Sequence, residues 1–482
     1  MRAPMELDPR HEDRPEPRGA LEFLLGAALL LGLVRFVQLG APSLWFDEVL
    51  TWGDANAPEG RPANALGYHV VRWTVEALGV GPTEGALRFA PALAGWLAIP
   101  LTAWAFRPLA GARRCAVAAL VVAASPWQLQ WSQTARFYTF TEVALLLGTG
   151  LALRGVLAAG GLRPIPLALG LGFGAVSGLF HPHGWIVFGA TLALVFVLAL
   201  GRASGGARRR LAVAGLVCVA LGAVAAVFAW PMWLRFAKYK GASDPLSGMA
   251  HFVLATGAYV TPALGAAAVG ALALSLKSGR AGLAGALGVV GLSAAALLLL
   301  ASQATVAAQY AFGLFPWIAL VAAWPVGDRG REGRFTAAWT ALLALPLLAG
   351  QALYFTAESA QRPRWREAAR LVHEQRGPED LVAAIPAGVV EFYLTGGRDE
   401  LARSHTAVAD VSFVNDPFRA LRLARRGRTV WFVVRRDNLV RFRPGDRAAL
   451  ERFFDEECRR VHTFPVQVTG RDLAIEVFRF DP

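Results

Sequence analysis

Long apolar segments recur through the first three quarters of this chain, and they restrict what it can fold into. Each is long enough, or nearly so, to cross about 30 Å of hydrocarbon as a helix. Of the 482 residues, 55% are apolar and only 17% are charged, which excludes an ordinary soluble protein of this length. The eleven segments are 21–39, 90–106, 115–131, 137–153, 165–180, 184–200, 211–234, 252–276, 281–300, 306–326 and 335–355. The sequence therefore predicts an α-helical polytopic membrane protein with about eleven transmembrane helices.

The basic residues indicate how these helices are oriented. A net charge of +13 suggests nucleic acid as a partner, but the arginines are scattered through short loops and form no continuous stripe. Loops 107–114, 154–163, 202–210, 277–280 and 328–334 carry Arg or Lys, which places them in the cytoplasm with the N-terminus. An odd number of spans then puts the C-terminus outside. We expect no nucleic acid as a partner.

Composition divides the chain into three parts. Residues 1–19 are charged and rich in proline, so we expect a disordered cytoplasmic tail followed by an uncleaved first helix rather than a signal peptide. Residues 20–357 form the membrane domain, whose outer loop 41–85 contains an amphipathic run at 66–78 that would lie on the membrane. Residues 358–482 predict a small extracytoplasmic α/β domain. Its expected helices are 365–375 and 447–460, with part of a third at 391–394, and its expected strands are 381–385, 429–434, 459–468 and 473–480.

Two adjacent carboxylates, Asp47 and Glu48, follow the first apolar segment in the sequence Leu44-Trp45-Phe46-Asp47-Glu48. A solvated helix end accounts for most such pairs. Here the pair lies just outside the membrane on the side that is poor in cations, where a membrane enzyme would hold a base. Asp47 and Glu48 are therefore candidate catalytic residues.

Several outer segments join this pair to form a recognisable pattern. They are Ala86-Leu87-Arg88-Phe89-Ala90-Pro91, Ser125-Pro126-Trp127, Trp131-Ser132-Gln133-Thr134-Ala135-Arg136-Phe137-Tyr138 and Phe180-His181-Pro182-His183. In this order and spacing they resemble the bacterial GT-C glycosyltransferases, the group that includes protein O-mannosyltransferases (glycosyltransferase family 39) and the aminoarabinose transferase of lipid A. Two positions depart from that pattern, at Asn64-Ala65-Leu66-Gly67-Tyr68-His69 and at Gln309-Tyr310.

The resemblance implies an enzyme of the bacterial cytoplasmic membrane that takes a sugar from a polyprenyl-phosphate carrier. The acceptor would be an extracytoplasmic lipid, polysaccharide or protein, and Asp47 would be the catalytic carboxylate. Transfer to a hydroxyl also requires a base by its own chemistry, and the departing phosphate favours a cation, so one carboxylate and one arginine make a minimal inverting site for a hexosyl- or pentosyltransferase. Arg136 is our candidate for the phosphate, although snorkelling at a helix end would also explain it. The substrate-binding candidates are Arg136, Tyr138, Arg88, His69 and His181.

Other interpretations remain open at this stage. Glu48, His181 and His183 are weak candidates for a divalent metal, since no certain cofactor is indicated and a His-Pro-His loop is an undependable metal geometry. Trp127, Trp131 and Tyr138 suit an interfacial aromatic belt better than a sugar platform. A transporter or flippase of lipid-linked sugars would also contain many helices, although the sequence has no interrupted helices in corresponding halves. A membrane scaffold that only presents the C-terminal domain is the third alternative.

Overall fold

The computed structural model describes residues 18–56, 65–158, 161–206, 208–209, 212–213, 244–278, 281–326, 333–357, 360, 362–396, 409–410, 419–424, 427–441, 443–468 and 471–482. Most of these residues are helical, and the longest helices precede residue 357. The α-helices are α1 Arg18–Gly32, α2 Phe46–Asn56, α3 Ala65–Leu78, α4 Glu84–Ala110, α5 Ala112–Ala124, α6 Pro126–Ser132, α7 Tyr138–Leu157, α8 Pro164–Phe180, α9 His183–Arg202, α10 Pro245–Val260, α11 Pro262–Ser278, α12 Ala281–Ala301, α13 Phe315–Ala322, α14 Arg334–Thr356, α15 Trp365–Gln375, α16 Ala387–Thr395, α17 Arg419–Ala424 and α18 Pro444–Arg452. Short 3-10 helices occupy Leu33–Phe36, Ala308–Leu314 and Arg436–Arg441.

Five of the described helices are long and apolar enough to cross a membrane. They are α4, α7, α9, α14 and the segment Gly282–Ala301 of α12, and the bent pair α10 and α11 would add a sixth span. Apolar helices at Pro164–Phe180 and Ala308–Ala322 are shorter. The span predicted at 211–234 lies outside the described residues apart from 212–213. The chain is thus a helical, multi-pass membrane protein, and the total of eleven spans stays a prediction.

Two of the predicted spans are broken beside a proline. The segment 115–131 is divided into α5 and α6 because Ser125 is extended and Pro126 has no N–H with which to continue the helix. The segment 252–276 is divided into α10 and α11, whose axes differ by 98°. Thr261 between them has a φ of 68°, a left-handed value that is unfavourable for a β-branched residue. Continuous apolar composition therefore does not produce a continuous helix at either place.

Glycines let the backbones of α7 and α8 touch. A Cβ atom on Gly148 would lie 2.8 Å from the backbone nitrogen of Gly174. A Cβ atom on Gly170 would lie 2.6 Å from the backbone nitrogen of Ala152. Such distances leave no space for a side chain, and small residues at helix crossings are a common way of packing membrane helices. This contact fixes α7, which begins at the last residue of the Trp131 to Tyr138 motif.

The described residues pack as two compact units. Unit 1 takes residues up to Arg35, Pro91–Ser132 and Phe137–Gly350, and unit 2 takes Phe36–Ala90, Gln133–Arg136 and Gln351–Pro482. Unit 2 therefore combines the first outer loop with the C-terminal α/β domain, although these are far apart in sequence. The predicted boundaries at residues 19 and 357 remain predictions.

A mixed sheet forms the centre of the C-terminal domain. Its strand order is β2-β1-β3-β7-β4, with β1 parallel to both β2 and β3, and β7 antiparallel to β3 and β4. A separate two-stranded ribbon joins β5 to β6. The strands are β1 Leu381–Ile385, β2 Ala409–Asp410, β3 Val430–Arg435, β4 Arg459–Phe464, β5 Gln467–Val468, β6 Arg471–Asp472 and β7 Ile475–Phe480. The predicted α/β domain is confirmed, including the helix at 365–375.

The predicted helix at 447–460 is wrong in its second half. Helix α18 ends at Arg452, a π-helical turn covers Phe453–Glu457, and the chain enters β4 at Arg459. Phe453 and Phe454 are consecutive and both buried, and both pack on Phe432 of the sheet at ring centroid distances of 5.6 and 5.5 Å. An α-helix directs consecutive side chains about 100° apart. The wider π turn allows both rings to reach the same core.

The amphipathic run of the outer loop forms α3. Tyr68, Val71 and Val75 are buried along one side, whereas Trp73 is exposed. Arg72 and Glu76 form an exposed ion pair at 2.7 Å, and Arg72 also donates to the carbonyl of Ala55 at the end of α2. The apolar stripe of α3 is therefore used for packing within unit 2.

Candidate active site

The two adjacent carboxylates lie in the first turn of α2. The peptide N–H of Trp45, just before the helix, donates to Glu48 Oε2 at 3.2 Å, and the Trp45 carbonyl accepts from the N–H of Glu48 at 3.0 Å. An acidic residue that reaches back to the residue preceding the helix is half of a capping box, which fixes where the helix begins. Because consecutive residues of a helix point about 100° apart, Asp47 and Glu48 have different surroundings.

Glu48 is fully buried and is held by Arg88. The Arg88 guanidinium donates from Nε to Glu48 Oε1 at 2.8 Å and from Nη2 to Oε2 at 2.9 Å. The peptide N–H of Ala135 also donates to Oε1 at 2.9 Å. Arg88 further donates to the carbonyls of Leu39, Pro42 and Ser43, at 3.1, 2.8 and 2.9 Å. This bidentate pair therefore ties α2 to the start of α4 and to the chain that leads into α2.

A second buried cation, Arg362, lies against the same carboxylate. Its Nε is 3.6 Å from Glu48 Oε2, and its guanidinium carbon is 5.6 Å from the centre of the Trp45 ring. Its Nη2 donates to Thr134 Oγ1 at 2.5 Å and to the carbonyl of Gln133 at 3.4 Å. One buried carboxylate thus faces two buried guanidiniums, and the group holds together α2, α4, the segment Gln133–Arg136 and residue 362.

These partners determine the charge of Glu48. Burial alone would raise the pKa of this carboxyl, but the charges of Arg88 and Arg362, with the hydrogen bonds from Arg88 and from the Ala135 N–H, hold its pKa below the ordinary value. Glu48 is therefore ionised at neutral pH. Its oxygens already accept from the protein, which makes it a poor base for a substrate hydroxyl.

Asp47 is in a different situation. Asp47 is half-buried, and its peptide carbonyl accepts hydrogen bonds from Thr51 Oγ1 at 3.0 Å and from Arg136 Nη1 at 3.0 Å. Among the residues that the structure describes, the Asp47 carboxylate makes no hydrogen bond and no ion pair. A carboxylate with unused lone pairs is able to accept a proton from a bound hydroxyl.

Arg136 completes this pair. Its Nη1 also donates to Thr51 Oγ1 at 2.9 Å, and its guanidinium carbon is 5.5 Å from the centre of the buried Tyr68 ring. Thr51 and Tyr68 therefore hold the guanidinium in place beside α2. The structure brings together Asp47 and Arg136, the two residues chosen from the sequence as base and phosphate ligand.

The C-terminal domain is anchored on the outer loop close to these groups. Arg366 forms an ion pair with Glu84 at 2.9 Å, and Ser43 Oγ donates to Glu367 Oε2 at 3.1 Å. The Tyr393 hydroxyl lies 2.6 Å from the N–H of Leu44, which donates to it, and donates to Glu84 Oε1 at 3.1 Å. Burial, followed by the nearby charge of Glu84, raises the pKa of Tyr393, so this hydroxyl stays protonated. These contacts hold Ser43 and Leu44, two of the residues that lead into α2.

The architecture of this chain is similar to that of several solved structures. ArnT from Cupriavidus metallidurans in the apo state is 15% identical, with a TM-score of 0.52 over 96% of this chain and 98% of that chain. The same protein bound to undecaprenyl phosphate is 14% identical, with a TM-score of 0.51 and the same coverage. The archaeal oligosaccharyltransferase AglB from Archaeoglobus fulgidus, in complex with an inhibitory peptide and a dolichol-phosphate, is 13% identical, with a TM-score of 0.52 over 95% of this chain and 74% of that chain.

The chain has the GT-C fold. The fold expected from the sequence motifs is thereby confirmed. Identities of this size establish the fold and leave the reaction to be argued from the site. No protein-family model matches the sequence, and a search of curated proteins finds no match.

Within this GT-C fold, the other predicted site residues are found in different places. His69 stacks on Trp73 at 5.8 Å on α3, and among the described residues it makes no hydrogen bond or ion pair with Asp47 or Arg136. Tyr138 and His181 lie in unit 1, where their ring centroids are 5.7 Å apart. Arg88 contacts Glu48 and main-chain carbonyls, so its position supports the loop. Of the predicted residues, Arg136 is the cation placed beside Asp47.

The aromatic residues flanking this motif are interior. Trp127, Trp131 and Tyr138 are between 1% and 4% exposed, so they do not form the interfacial belt predicted from the sequence. Trp127 packs on Tyr259 at 5.4 Å, and Trp131 packs on Tyr138 at 4.5 Å.

The residues considered for a metal do not fit one. The carboxylate oxygens of Glu48 already contact two guanidiniums and accept hydrogen bonds from two peptide N–H groups. A metal ion would have to displace these partners. Across the described residues there is no group of three or more His, Cys, Asp or Glu side chains that could hold a metal ion.

Three residues of the site were not singled out from the sequence for these roles. Thr51 lies one helical turn after Asp47, a spacing that would have identified it once α2 was known. Tyr68 was assigned only to an amphipathic stripe. Arg362 lies beyond the last apolar segment, within Arg362-Pro363-Arg364, and no local pattern connects it to Glu48.

Proposed function

We propose that this chain is an integral membrane glycosyltransferase that transfers a sugar from a polyprenyl-phosphate carrier to an extracytoplasmic lipid, polysaccharide or protein. The observation that carries the proposal is Asp47, a half-buried residue whose carboxylate has no partner among the described residues and whose peptide carbonyl accepts a hydrogen bond from the guanidinium of Arg136. The GT-C fold supports it, because structures with this fold contain undecaprenyl phosphate and a dolichol-phosphate.

Asp47 acts as the general base in this proposal. The acceptor hydroxyl oxygen attacks the anomeric carbon while its proton passes to the Asp47 carboxylate. The bond between the anomeric carbon and the phosphate oxygen breaks, and the polyprenyl phosphate leaves with that electron pair. One displacement at the anomeric carbon inverts its configuration. A positioned base of this kind contributes roughly 10²- to 10⁴-fold to the rate.

Arg136 binds the phosphate of the carrier. Negative charge on the phosphate oxygens increases as the sugar departs, and a guanidinium held beforehand by Thr51 stabilises that charge without having to reorganise. The planar fork of arginine also matches two phosphate oxygens. Tyr68 supports the opposite side of the guanidinium.

Glu48 is a positioning residue in this scheme. It holds Ala135 and Arg88, and through them the backbone that precedes Arg136 and the loop that precedes Asp47. Its own charge is balanced by guanidiniums, so it does not need to contact the substrate. Arg362 has the same role from the other side of the carboxylate.

We also propose the cytoplasmic membrane of a bacterium as the location, with the active site and the C-terminal domain on the extracytoplasmic side. The arginine-rich loops at 107–114 and 202–210 support that orientation. In this orientation Asp47 lies on the extracytoplasmic side, where lipid-linked sugars and envelope acceptors are both present.

The decisive experiment is transfer by the purified protein in liposomes. A radiolabelled polyprenyl-phosphate sugar is supplied with envelope lipid and glycan acceptors, and the protein is compared with its Asp47→Asn variant. The proposal requires labelled product with the wild-type protein and at least a hundred-fold loss in the variant. Movement of label across the bilayer without product would favour the transporter interpretation instead.

A further inference from the structure

A cavity of about 230 Å³ lies within unit 2, and the proposed chemistry does not use it. Its walls include Gln38, Ser43, Phe355, Arg362 and Arg364, all of which belong to unit 2. A water molecule takes up about 30 Å³ in the liquid, so the space exceeds that of one or two ordered waters. The cavity therefore has room for a small polar group such as a phosphate.

This cavity lies where two apolar segments end. Phe355 is the penultimate residue of α14, which is long and apolar enough to cross a membrane. Gln38 is next to the end of the first predicted span, 21–39. The ends of spans lie at the level of the lipid headgroups, whichever side of the membrane they face. A headgroup is therefore within reach of the cavity.

Arg362 contributes a buried cation to the wall. It is 4% exposed, and its Nε and Nη2 atoms are directed at Glu48 and Thr134. Its Nη1 atom has no partner among the residues that the structure describes. A guanidinium has several N–H donors in a fixed plane, so those on Nη1 remain available for an acceptor in the cavity.

The buried charges beside the cavity do not cancel. Arg88 and Arg362 are two buried guanidiniums that share the single carboxylate of Glu48, which leaves one positive charge over. Arg364 adds an exposed guanidinium to the wall, and it forms no ion pair within the described part of the chain. A buried charge without a counter-charge is costly, and an anion beside it lowers that cost. The cavity therefore favours an anionic ligand.

One carboxylate also lines the cavity, but it has partners of its own. Glu367 Oε2 accepts from Ser43 Oγ at 3.1 Å, and Oε1 is 3.6 Å from Arg366 Nη2. Together with the ion pairs of Arg366 and Glu48 described above, four guanidiniums here face three carboxylates. The surroundings of the cavity thus keep a net positive charge even when Glu367 is counted.

We propose that this cavity binds the phosphate of an anionic membrane phospholipid such as phosphatidylglycerol. Arg362 Nη1 and the Arg364 guanidinium donate to the phosphate oxygens, a geometry that the arginine fork suits. The first turn of α15 borders the cavity, and the positive end of a helix also favours an anion. This inference goes beyond the proposed sugar transfer and does not depend on it.

Native mass spectrometry of the full chain tests the proposal by counting bound lipids. The protein in detergent is titrated with phosphatidylglycerol, with zwitterionic phosphatidylcholine and with diacylglycerol, all with the same acyl chains. We expect phosphatidylglycerol to bind about ten-fold more tightly than phosphatidylcholine, and diacylglycerol to bind least. If phosphatidylglycerol bound no more tightly than either of the other lipids, the proposal would be overturned.

Two variants test whether the lipid occupies this cavity. Arg364→Gln removes an exposed cation and should weaken phosphatidylglycerol binding by about 3- to 10-fold. Ala41→Trp, at another residue of the wall, fills the space without changing any charge and should abolish tight binding. Arg370→Gln is the matched control, because Arg370 is exposed on the same helix, α15, and does not line the cavity. Undiminished binding in Ala41→Trp, or equal losses in the two arginine variants, would contradict the proposal.

Polyprenyl phosphate also carries a phosphate, so the same titration is made with this lipid. We expect Ala41→Trp to leave its binding unchanged, because its phosphate is proposed to contact Arg136. Equal loss of both lipids in Ala41→Trp would assign the cavity to the carrier and overturn the assignment to a phospholipid. The liposome transfer assay on the wild-type protein measures the proposed function separately, so each proposal is able to fail without the other.

Discussion

Arg136 Nη1 donates a hydrogen bond of 3.0 Å to the peptide carbonyl of Asp47, 89 residues earlier in the chain. The guanidinium is thereby fixed to the first turn of α2, the helix that carries Asp47. Thr51 donates to the same carbonyl and accepts from the same guanidinium, which closes a small network. A change at Thr51 or Arg136 should therefore alter this network, whereas a side-chain change at Asp47 leaves its peptide carbonyl in place.

The first prediction concerns the proposed base. Asp47→Asn keeps the size of the side chain and removes its ability to take a proton, so turnover should fall by roughly 10² to 10⁴. Donor binding and thermal stability should be unchanged. Single-turnover transfer and carrier binding in liposomes measure the two effects. Glu379→Gln, which alters a side chain that is 89% exposed, is the control, and a wild-type rate in Asp47→Asn would rule out the assignment.

The second prediction separates charge from geometry at Arg136. Arg136→Ala should weaken carrier binding and also lower turnover, because the phosphate contact exists both before and during transfer. Arg136→Lys keeps the charge but lacks the planar fork that reaches Thr51 and Asp47, so it should recover binding more fully than turnover. Rate measurements over a range of carrier concentrations distinguish these effects. Equal turnover in the lysine variant and the wild type would show that only charge matters.

The third prediction concerns the carboxylate between two guanidiniums. Glu48→Gln leaves Arg88 and Arg362 buried without a counter-charge, which should destabilise the protein by about 3 to 5 kcal/mol. The double variant Glu48→Gln with Arg362→Met removes one excess charge and should recover part of that loss. Thermal unfolding in detergent compares the variants, with Asp47→Asn as the neighbouring control. A single Glu48→Gln variant as stable as the wild type would contradict the buried pair.

The fourth prediction is the dependence of stability on pH. The folded pKa of Glu48 lies below its ordinary value of 4.5, so its contribution to stability is complete above that pH and is lost as the pH falls through the folded pKa. The thermal midpoint of the wild type should therefore decrease below about pH 4.5 more steeply than that of Glu48→Gln. Parallel curves for the two proteins would show that Glu48 does not titrate in this way.

The fifth prediction is the topology. A phosphatase that works only outside the cytoplasm should be active when fused after Pro482 and inactive when fused at Gly205, within the loop rich in arginine. Fusion activity in intact cells, normalised to protein amount, is the measurement. The reverse pattern would place Asp47 in the cytoplasm and remove the extracytoplasmic acceptor from the proposal.

Much of the architecture was predictable because hydrophobic pattern and strand propensity act locally. The long apolar runs located α4, α7, α9 and α14, and short apolar runs of strand length located β1 and β3. The prediction of helices failed where a proline or a local packing requirement overrides the apolar pattern. Pro126 divides an apolar run, and the need to bury two adjacent phenylalanines ends α18 early.

The sequence motifs predicted some of the residues of the site, because they identify side chains whose chemistry suits the reaction. Asp47 and Arg136 were chosen from the sequence, and the structure places them side by side. The burial of Glu48 was not predictable, since adjacent carboxylates look alike until the direction of each side chain is known. Arg362 is separated from Glu48 by more than three hundred residues, and only packing shows that they meet.

The distance in sequence between Glu48 and Arg362 has a consequence for how the protein is made. Arg88 emerges from the ribosome shortly after Glu48, so the first half of the ion group is able to form while the membrane helices are still being inserted. The second guanidinium is synthesised only after the last described apolar helix, α14. Until then, the segment Gln133–Arg136 lacks the donor that Arg362 gives to Thr134. A half-translated chain is therefore expected to lack a fully assembled active site.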